Sequence, residues 1–579
     1  MFVTSFKPLP DSKHMRLEKK LMGKRQWPGR GLAVTVLCGL TGVHAQTQPA
    51  PGDIMRQIGT VKDSYLPKLE AQDASSPHPT PPAQGAQIVQ VGKWKFEGNT
   101  VLDTQRLERL LQNFTGVDVS IQQINEAASW VQSIYEQEGW LARVVLPEQD
   151  ITEGTVLIRV VEARLGDLLM PEHDGARVVS SVVKDVVQYA LADSGVLNSQ
   201  RVNRGLLLAD DLVGVKVTGH LKPGQAQGTT DIVIVTQPEP AALYEVTLDN
   251  TNARSVGSER LMASAKWQSP AGFGESYSAQ GLKSQGADYV RVVADTPLGH
   301  SGLKGNITIS SMDYKVVNSD STGVTPDIRG SAQTLSIDLL YPWVRSRSQN
   351  LYISSGLDQR TYKSRQNGAS EADYQVDAWQ MGVSGNHTDA LLGGGANTYS
   401  VSLHSGSVYK RDVNSFNDAE VLGHYSKWRW AFSREQSVQK NLIWFIGLQG
   451  QNTGSKPLDS SENFSLGGPA GVRAYPVGEG TGPQGLLLSM EARWFVSPEW
   501  LVTPFVDYGH VEKRADAALP SYNLKGAGVS LTWIGAEGWL AKVTYAQRIG
   551  NNPNPLNVDK DQDGSLHKDR VWLSLTHAF

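Results

Sequence analysis

Several residue groups have the types and spacing that chemistry requires. Ser181 and Lys184 fit the Ser-x-x-Lys pattern, in which an amine takes the proton of a nucleophilic hydroxyl. They fall within helical periodicity in a small repeat, and no partner motif accompanies them. Asp559, Asp561, Asp563 and Gly564 open like a calcium loop, but the twelfth position is Arg570 where a bidentate carboxylate is needed. A solvated extracellular loop is the expectation there. Gly478, Gly480, Gly482 and Gly485 look like a phosphate cradle, yet no lysine follows and residues 486–494 alternate as a strand. The 12 histidines include no His-Glu-x-x-His spacing. The one cysteine, Cys38, lies in an N-terminal segment that is expected to be removed. Neither a catalytic centre, a metal site nor a cofactor is predicted.

The elements that carry these groups point elsewhere. A net charge of −4 over 579 residues gives no footprint for nucleic acid. Lys19, Lys20, Lys24, Arg25 and Arg30 precede an apolar stretch at 32–43 and the small-residue pattern Val43-His44-Ala45, so residues 1–45 read as an export signal. No later window supplies the roughly 18 uncharged apolar residues of a spanning helix. If the chain is in a membrane, it is there as a barrel. Residues 46–70 hold one short helix, and 71–87 form a Pro/Ser-rich linker.

Residues 88–164 alternate at 88–96, turn at Gly98-Asn99, show helical spacing at 103–111 and 120–135, stop at Gly139 and end in two strands. Residues 165–238 repeat this β-α-α-β-β order. From 239 to 579 the texture changes to about sixteen alternating segments, many of 9 to 14 residues, the length a tilted strand needs to cross a bilayer. In the last one Val571, Leu573, Leu575 and Phe579 share an apolar face, while Trp572, Ser574, Thr576 and Ala578 share the other. The apolar face is expected to meet lipid and the smaller, more polar face the lumen. The terminal Phe579 fits the address by which outer-membrane barrels are recognised for assembly. Most of the 15 tryptophans are expected in interface girdles. The fold class is therefore α+β periplasmic repeats followed by an all-β transmembrane barrel.

The modules and barrel together resemble the two-partner secretion transporters, the TpsB family of hemolysin activators and filamentous-hemagglutinin exporters (ShlB, FhaC, HecB), over essentially the whole mature chain. Phe96-Glu97-Gly98-Asn99-Thr100 and Leu146-Pro147-Glu148-Gln149-Asp150-Ile151 resemble the family's first polypeptide-transport-associated (POTRA) domain. Leu221-Lys222-Pro223-Gly224 and Gly228-Thr229-Thr230-Asp231 are similar to the hairpin of the second. Leu248-Asp249-Asn250 and Tyr341-Pro342-Trp343-Val344-Arg345-Ser346-Arg347 are similar to barrel segments of the family, the latter at a short periplasmic turn. Gly471-Val472-Arg473-Ala474-Tyr475-Pro476 resembles the tip of a long extracellular loop, about 452–483, that folds back into the barrel. Phe505-Val506-Asp507-Tyr508-Gly509 resembles the inner-wall strand that receives it. Alternation puts Phe505, Asp507 and Gly509 on one face, so Asp507 can meet Arg473, a fork-shaped cation suited to a carboxylate. Many relatives have glycine where this chain has Ala474.

The resemblance implies a translocator without chemistry. POTRA domains would capture a large, unfolded TpsA-like partner by strand addition or groove binding. The first helix would act as a removable plug, the partner would thread the lumen, and folding outside would drive transport. Barrel-assembly machinery and outer-membrane lipid are the other partners implied. A barrel-assembly insertase of the same superfamily is the alternative, although such proteins usually carry more POTRA repeats. A plain porin would not need two periplasmic modules.

Overall fold

The computed structural model describes residues 50–58, 66, 88–151, 153–171, 175–192, 195–317, 327–412, 419–454, 457–512, 521–556, 560–565 and 567–579. The export signal (1–45), the linker (71–87) and Asp559 lie outside them. Of the segment 46–70, Pro51–Ile58 is helical (α1).

Two small α+β units come next. In the first, strand Lys93–Glu97 runs parallel to Thr155–Glu162, which pairs antiparallel with Ala142–Val145. Helices α2 (Thr104–Leu110) and α3 (Ile121–Gln137) cover one face of this sheet. Ser120 and Gln123 form a reciprocal capping box that starts α3, and Gly139 ends it at φ +79°. Trp94, Leu107, Val131, Val156 and Ile158 fill the core between helices and sheet. The second unit repeats the order. Arg164–Leu169 is parallel to Thr229–Pro238, which pairs with Val215–Pro223, beneath α4 (Ser180–Leu191) and α5 (Ser199–Asp210). Asn198 caps α5 with its side-chain oxygen while its amide nitrogen donates to Glu138 O (3.0 Å), joining the two units.

One buried carboxylate organises the first unit. Glu162 accepts the backbone N–H groups of Thr100 (2.7 Å) and Val101 (3.0 Å), the Thr100 hydroxyl, and the Tyr135 hydroxyl (3.0 Å). Burial, reinforced by Glu162, raises the Tyr135 pKa. The turn so held begins at Gly98, with φ +86°, where a Cβ would stand 2.2 Å from Val160 O. Asn99 closes it by donating to Leu102 O and Thr104 Oγ1, both 3.0 Å.

The barrel is closed, with sixteen antiparallel strands. They are β1 (Ala242–Asp249), β2 (Arg260–Gln268), β3 (Ser276–Ser284), β4 (Ala287–Pro297) and β5 (Lys304–Lys315). Then come β6 (Ile328–Arg345), β7 (Gln349–Gln366), β8 (Ala369–Asp389), β9 (Gly395–Lys410), β10 (Gly423–Gln439) and β11 (Leu442–Thr453). After the long loop follow β12 (Gln484–Ser497), β13 (Trp500–Glu512), β14 (Tyr522–Ile534), β15 (Trp539–Arg548) and β16 (Asp569–Ala578). Strands β6 to β10 have 16 to 21 residues, longer than the expected span. Their extra turns of pleat stand beyond the apolar belt on the extracellular side, where their inner faces grip α1.

Closure joins β16 to β1 through five residue pairs, Ser574–Ala578 against Asp249–Glu245. The Asn250 carboxamide prolongs this seam as a peptide group would, donating to Val571 O (3.0 Å) and accepting from Leu573 N (2.8 Å). Phe579 N–H donates to Tyr244 O (2.9 Å) at the periplasmic rim. The second α+β unit is bolted to the barrel turn at 346–348. Arg345 forks onto Asp211 (2.8 and 2.9 Å), and Arg204 donates to Pro342 O (2.8 Å).

Replacing Glu162 by alanine would leave two turn N–H groups and a buried phenol without their acceptor. The expected cost is roughly 3 kcal/mol, read as on the order of hundredfold faster hydrogen exchange in α3 and strand Thr155–Glu162 of the full chain. Exchange in α4 and α5 should be unchanged, and equal acceleration there would contradict this local assignment.

Candidate functional site in the barrel lumen

The loop between β11 and β12 turns into the barrel instead of standing above it. Its tip is a tight reversal: Val472 N–H donates to Leu466 O (2.7 Å) and Tyr475 N–H to Val472 O (3.1 Å). Arg473, only 7% exposed, projects onto β13. Its Nε and Nη2 donate to Asp507 Oδ2 (2.9 Å) and Oδ1 (2.7 Å), and its backbone N–H also reaches Oδ2 (3.1 Å). The remaining nitrogen, Nη1, donates to Glu491 Oε1 on β12 (2.8 Å). The guanidinium carbon lies 3.4 Å from the centre of the Phe505 ring. Gly509 completes the seat, since a Cβ there would come within 2.8 Å of Leu466 and 3.0 Å of Val472.

Ala474 is buried against Gly526, where an added Cβ would sit 2.6 Å from the alanine methyl. It is not among the described residues with positive φ, so this tip does not demand glycine. Tyr475 is buried with the Arg548 guanidinium 4.4 Å from its ring centre. Trp572, on β16, donates its indole N–H to Arg473 O (2.8 Å). Glu491 escapes sequence reasoning, and alternation places Trp572 on the lumen face without its contact to the loop. Glu491 is directly opposite Phe505 in the ladder, and only the register reveals that.

The base of the loop is held separately. Glu462 receives Lys427 of β10 (2.5 Å) and Arg360 of β7, while its backbone carbonyl accepts from Lys427 (2.7 Å) and Gln451 (2.8 Å). Against this turn packs α1. Gly52 touches Ser460 and Ser461 so closely that a Cβ would stand 2.5 Å from Ser460 Oγ. Ile54, Met55 and Ile58 enter an apolar cluster with Tyr289, Met312, Tyr314, Tyr362, Tyr374 and Tyr425 of the wall. The polar lumen expected from the last strand is thus only part of the picture. On the side of β3 to β10 the inner wall is lined with tyrosines and aliphatics because a helix covers it.

Further along the loop Glu479 is fully buried against the β15–β16 loop, accepting from Gln562 N–H (2.8 Å) and Asn552 Nδ2 (3.2 Å). Burial pushes its pKa up to about 7, helped by Asp561 and opposed by those hydrogen bonds. Asp561 belongs to the calcium-like run. Its carboxylate is occupied by Arg548 (2.7 Å) and by Arg570 (2.7 Å), the residue standing where a calcium loop needs its glutamate. Ser181 and Lys184 lie on α4, far in sequence from any of these groups.

Among the POTRA-like motifs, Phe96 and Leu146 pack against the core of the first unit. Gln149, beside Pro147 and Asp150, pairs its amide with Leu157 N–H (2.6 Å) and O (2.8 Å), so this loop substitutes for a strand partner.

Two α+β units ahead of a sixteen-strand barrel, with a loop and a helix lodged in its lumen, define an outer-membrane protein transporter of the POTRA-barrel class. Residues 89–163 match the model for a ShlB-type POTRA domain, and residues 228–533 match that for the haemolysin secretion/activation protein ShlB/FhaC/HecB. The chain belongs to the ShlB/FhaC/HecB family, whose transporters secrete partner proteins through the outer membrane, with the POTRA domains in the periplasm. It is 24% identical to the heme/hemopexin transporter protein HuxB of Haemophilus influenzae, over 93% of this chain and 96% of the relative. It is 22% identical to the outer membrane transporter CdiB of Escherichia coli O6:K15:H31, over 86% and 87% respectively. The solved structure of CdiB from Escherichia coli shares the fold at TM-score 0.73 and 20% identity, covering 87% of this chain and 93% of that one.

Asp507→Ala removes three of Arg473's four acceptor contacts and leaves Glu491 as its remaining carboxylate, and is expected to weaken loop seating by about 2–3 kcal/mol. Faster protease cleavage within 466–482 would report it, and Asp507→Asn should lie between. The pH dependence has a definite sign. A carboxyl whose pKa is higher docked than free imposes no penalty below about 4.5, and the penalty grows until pH passes about 7. Cleavage should therefore be slower at pH 5.5 than at pH 8, and Glu479→Gln should flatten the difference.

Proposed function

We propose that the chain recognises a large, unfolded exported protein, hemolysin- or adhesin-like, through its POTRA domains and passes it through the lumen to the cell surface or medium. The observation that carries this is the lumen itself, filled by two segments attached through separable contacts. Helix α1 is held chiefly by an apolar patch and the close approach of Gly52, with Gln57 lying against Gly478 of the loop. The loop tip is held by Arg473 on β12 and β13 and by Trp572, Tyr475 and Glu479 toward β15 and β16. Both can withdraw without breaking a strand pairing, so a conduit can open while the wall stays intact. The second α+β unit offers a sheet edge along Val215–Pro223, paired on one side and capped by Asp210 at Val217 N–H, to which an extended polypeptide can add, whereas Gln132 already occupies the outward groups of Ala142 and Val144 in the first unit.

The chain supplies no bond chemistry in this reading. Arg473, Asp507 and Glu491 bind and position the loop, and outward folding of the partner makes passage irreversible. Phe579, exposed at the rim beside Trp539 and His577, would address the chain to the barrel-assembly machinery. The apolar outer belt would hold outer-membrane lipid.

The decisive comparison is the proteome of the medium, cell surface and outer membrane with and without this chain. Loss of one large exported protein, other barrels unchanged, is expected. A general fall in outer-membrane barrels would instead establish an insertase. Removing residues 89–237 should abolish export of that partner. Separately, Gly52→Val, which cannot fit against Ser460, should raise single-channel conductance in planar bilayers; an unchanged conductance would exclude α1 as the plug.

A further inference from the structure

Strands β6 to β10 carry a recess on their outer wall that the transport path does not use. Register and alternation define it. One row across the five strands reads Leu335, Gln359, Asp377, Ser407, His424; the next, toward the periplasm, reads Ile337, Leu357, Trp379, Ser405, Ser426. These side chains point outward, because their neighbours Val376, Val408 and Tyr425 are buried in the lumen cluster around α1. Leu357, Trp379 and Trp428 are exposed members of the apolar belt. Ser405, Ser407 and Ser426 are small beside Leu357, Trp379 and His424, and the wall sinks there into a hollow of about 410 Å³, a volume fit for a small polar group.

The lining is unusual for a surface that faces hydrocarbon. Asp377 stands at the extracellular limit of the belt, one row above Trp379. Gln375 (2.8 Å) and Gln359 (3.4 Å) both donate to its Oδ1, and among the described residues Oδ2 accepts from no donor. Ser405 Oγ lies 3.5 Å from His424 Nε2. Two rows farther out, Lys363 (4.0 Å) and Arg411 (3.7 Å) share the carboxylate of Asp373 at loose distances, so two cations stand there without a tight ion pair to it. From Asp377 to Asp373 the strand climbs about 13 Å.

Reading outward along the wall gives apolar belt, a flat indole, a cluster of hydroxyl, amide and carboxylate acceptors, then a pair of loosely held cations. Acyl chains, sugar hydroxyls and phosphate follow in that order in the phosphorylated glycolipid of the outer leaflet. A carboxylate and serines bind hydroxyl donors, an indole offers an apolar face to a sugar ring, and a cation pair meets phosphate. We propose that this recess, built by Asp377, Ser405, Ser407 and Trp379 with Lys363 and Arg411 above it, is a headgroup site for the outer-leaflet glycolipid. The overlong strands then have a second use: their outer faces receive a lipid headgroup while their inner faces hold the plug.

The test uses the full chain purified in mild detergent, stripped of lipid and incubated with lipid A or with phosphatidylethanolamine. Native mass spectrometry then counts the lipid retained. The expected result is one lipid A per chain, with Asp377→Asn and Ser407→Leu each lowering retention by roughly tenfold, the loss of one or two hydrogen bonds. Ser407→Leu adds an apolar group to a lipid-facing wall and keeps the heat-modifiable migration of a folded barrel, so it reads the site even if Asp377→Asn folds poorly. Retention of phosphatidylethanolamine equal to lipid A, or retention of lipid A unaffected by Ser407→Leu, would overturn the proposal and leave only a general lipid annulus.

Discussion

A sheet immersed in hydrocarbon can leave no backbone group unpaired, and the rest of this molecule follows from that constraint. It forces β16 back to β1, and sixteen strands closed on themselves enclose more space than wall side chains can fill. An empty lumen of that width would be a permanent leak. The chain fills it with its own material, an eight-residue helix and a loop tip, and the inner wall has been shaped to receive both.

The two fillings are held by different physics. Helix α1 relies on apolar contact and close approach at Gly52, which are non-directional and broken gradually. The loop tip relies chiefly on one arginine shared between two carboxylates and an aromatic face, which is directional and lost all at once. A buried ion pair of this kind adds little to net stability beside an apolar substitute, but it specifies a single position for the loop. That is the property a seated yet releasable segment requires. The Glu462 contacts to Lys427 and Arg360 place the loop base under α1, so neither filling is independent of the other.

Much of this was legible in the residues. Period-two alternation marks β16 and β13, and the placing of Asp507 on the inner face follows from it alone. Repetition of the β-α-α-β-β pattern announces the paired units, and Gly139 and Ser120 bound α3 as their types require. The hidden parts share a cause. Glu491, the Trp572 contact to the loop and the Lys427–Glu462 pair depend on register between distant segments, which local pattern does not encode. The seat of α1 is hidden because three apolar residues in eight resemble any short amphipathic turn. Strands β6 to β10 run past the membrane, and their outward residues there, such as Gln359 and Asp377, lose the apolar signal that marks a strand. The tyrosine-lined wall looks like misplaced hydrophobicity until the helix that covers it is known.

Trp572 ties the loop to the calendar of biogenesis. It lies on the strand that closes the barrel against β1, and its indole is one of the donors that hold Arg473 in place. While the final hairpin is still outside the sheet, the loop tip lacks this contact and β1 lacks its partner. The loop tip is therefore fully held only once the cylinder is complete, so closure of the wall and full seating of its filling share one residue.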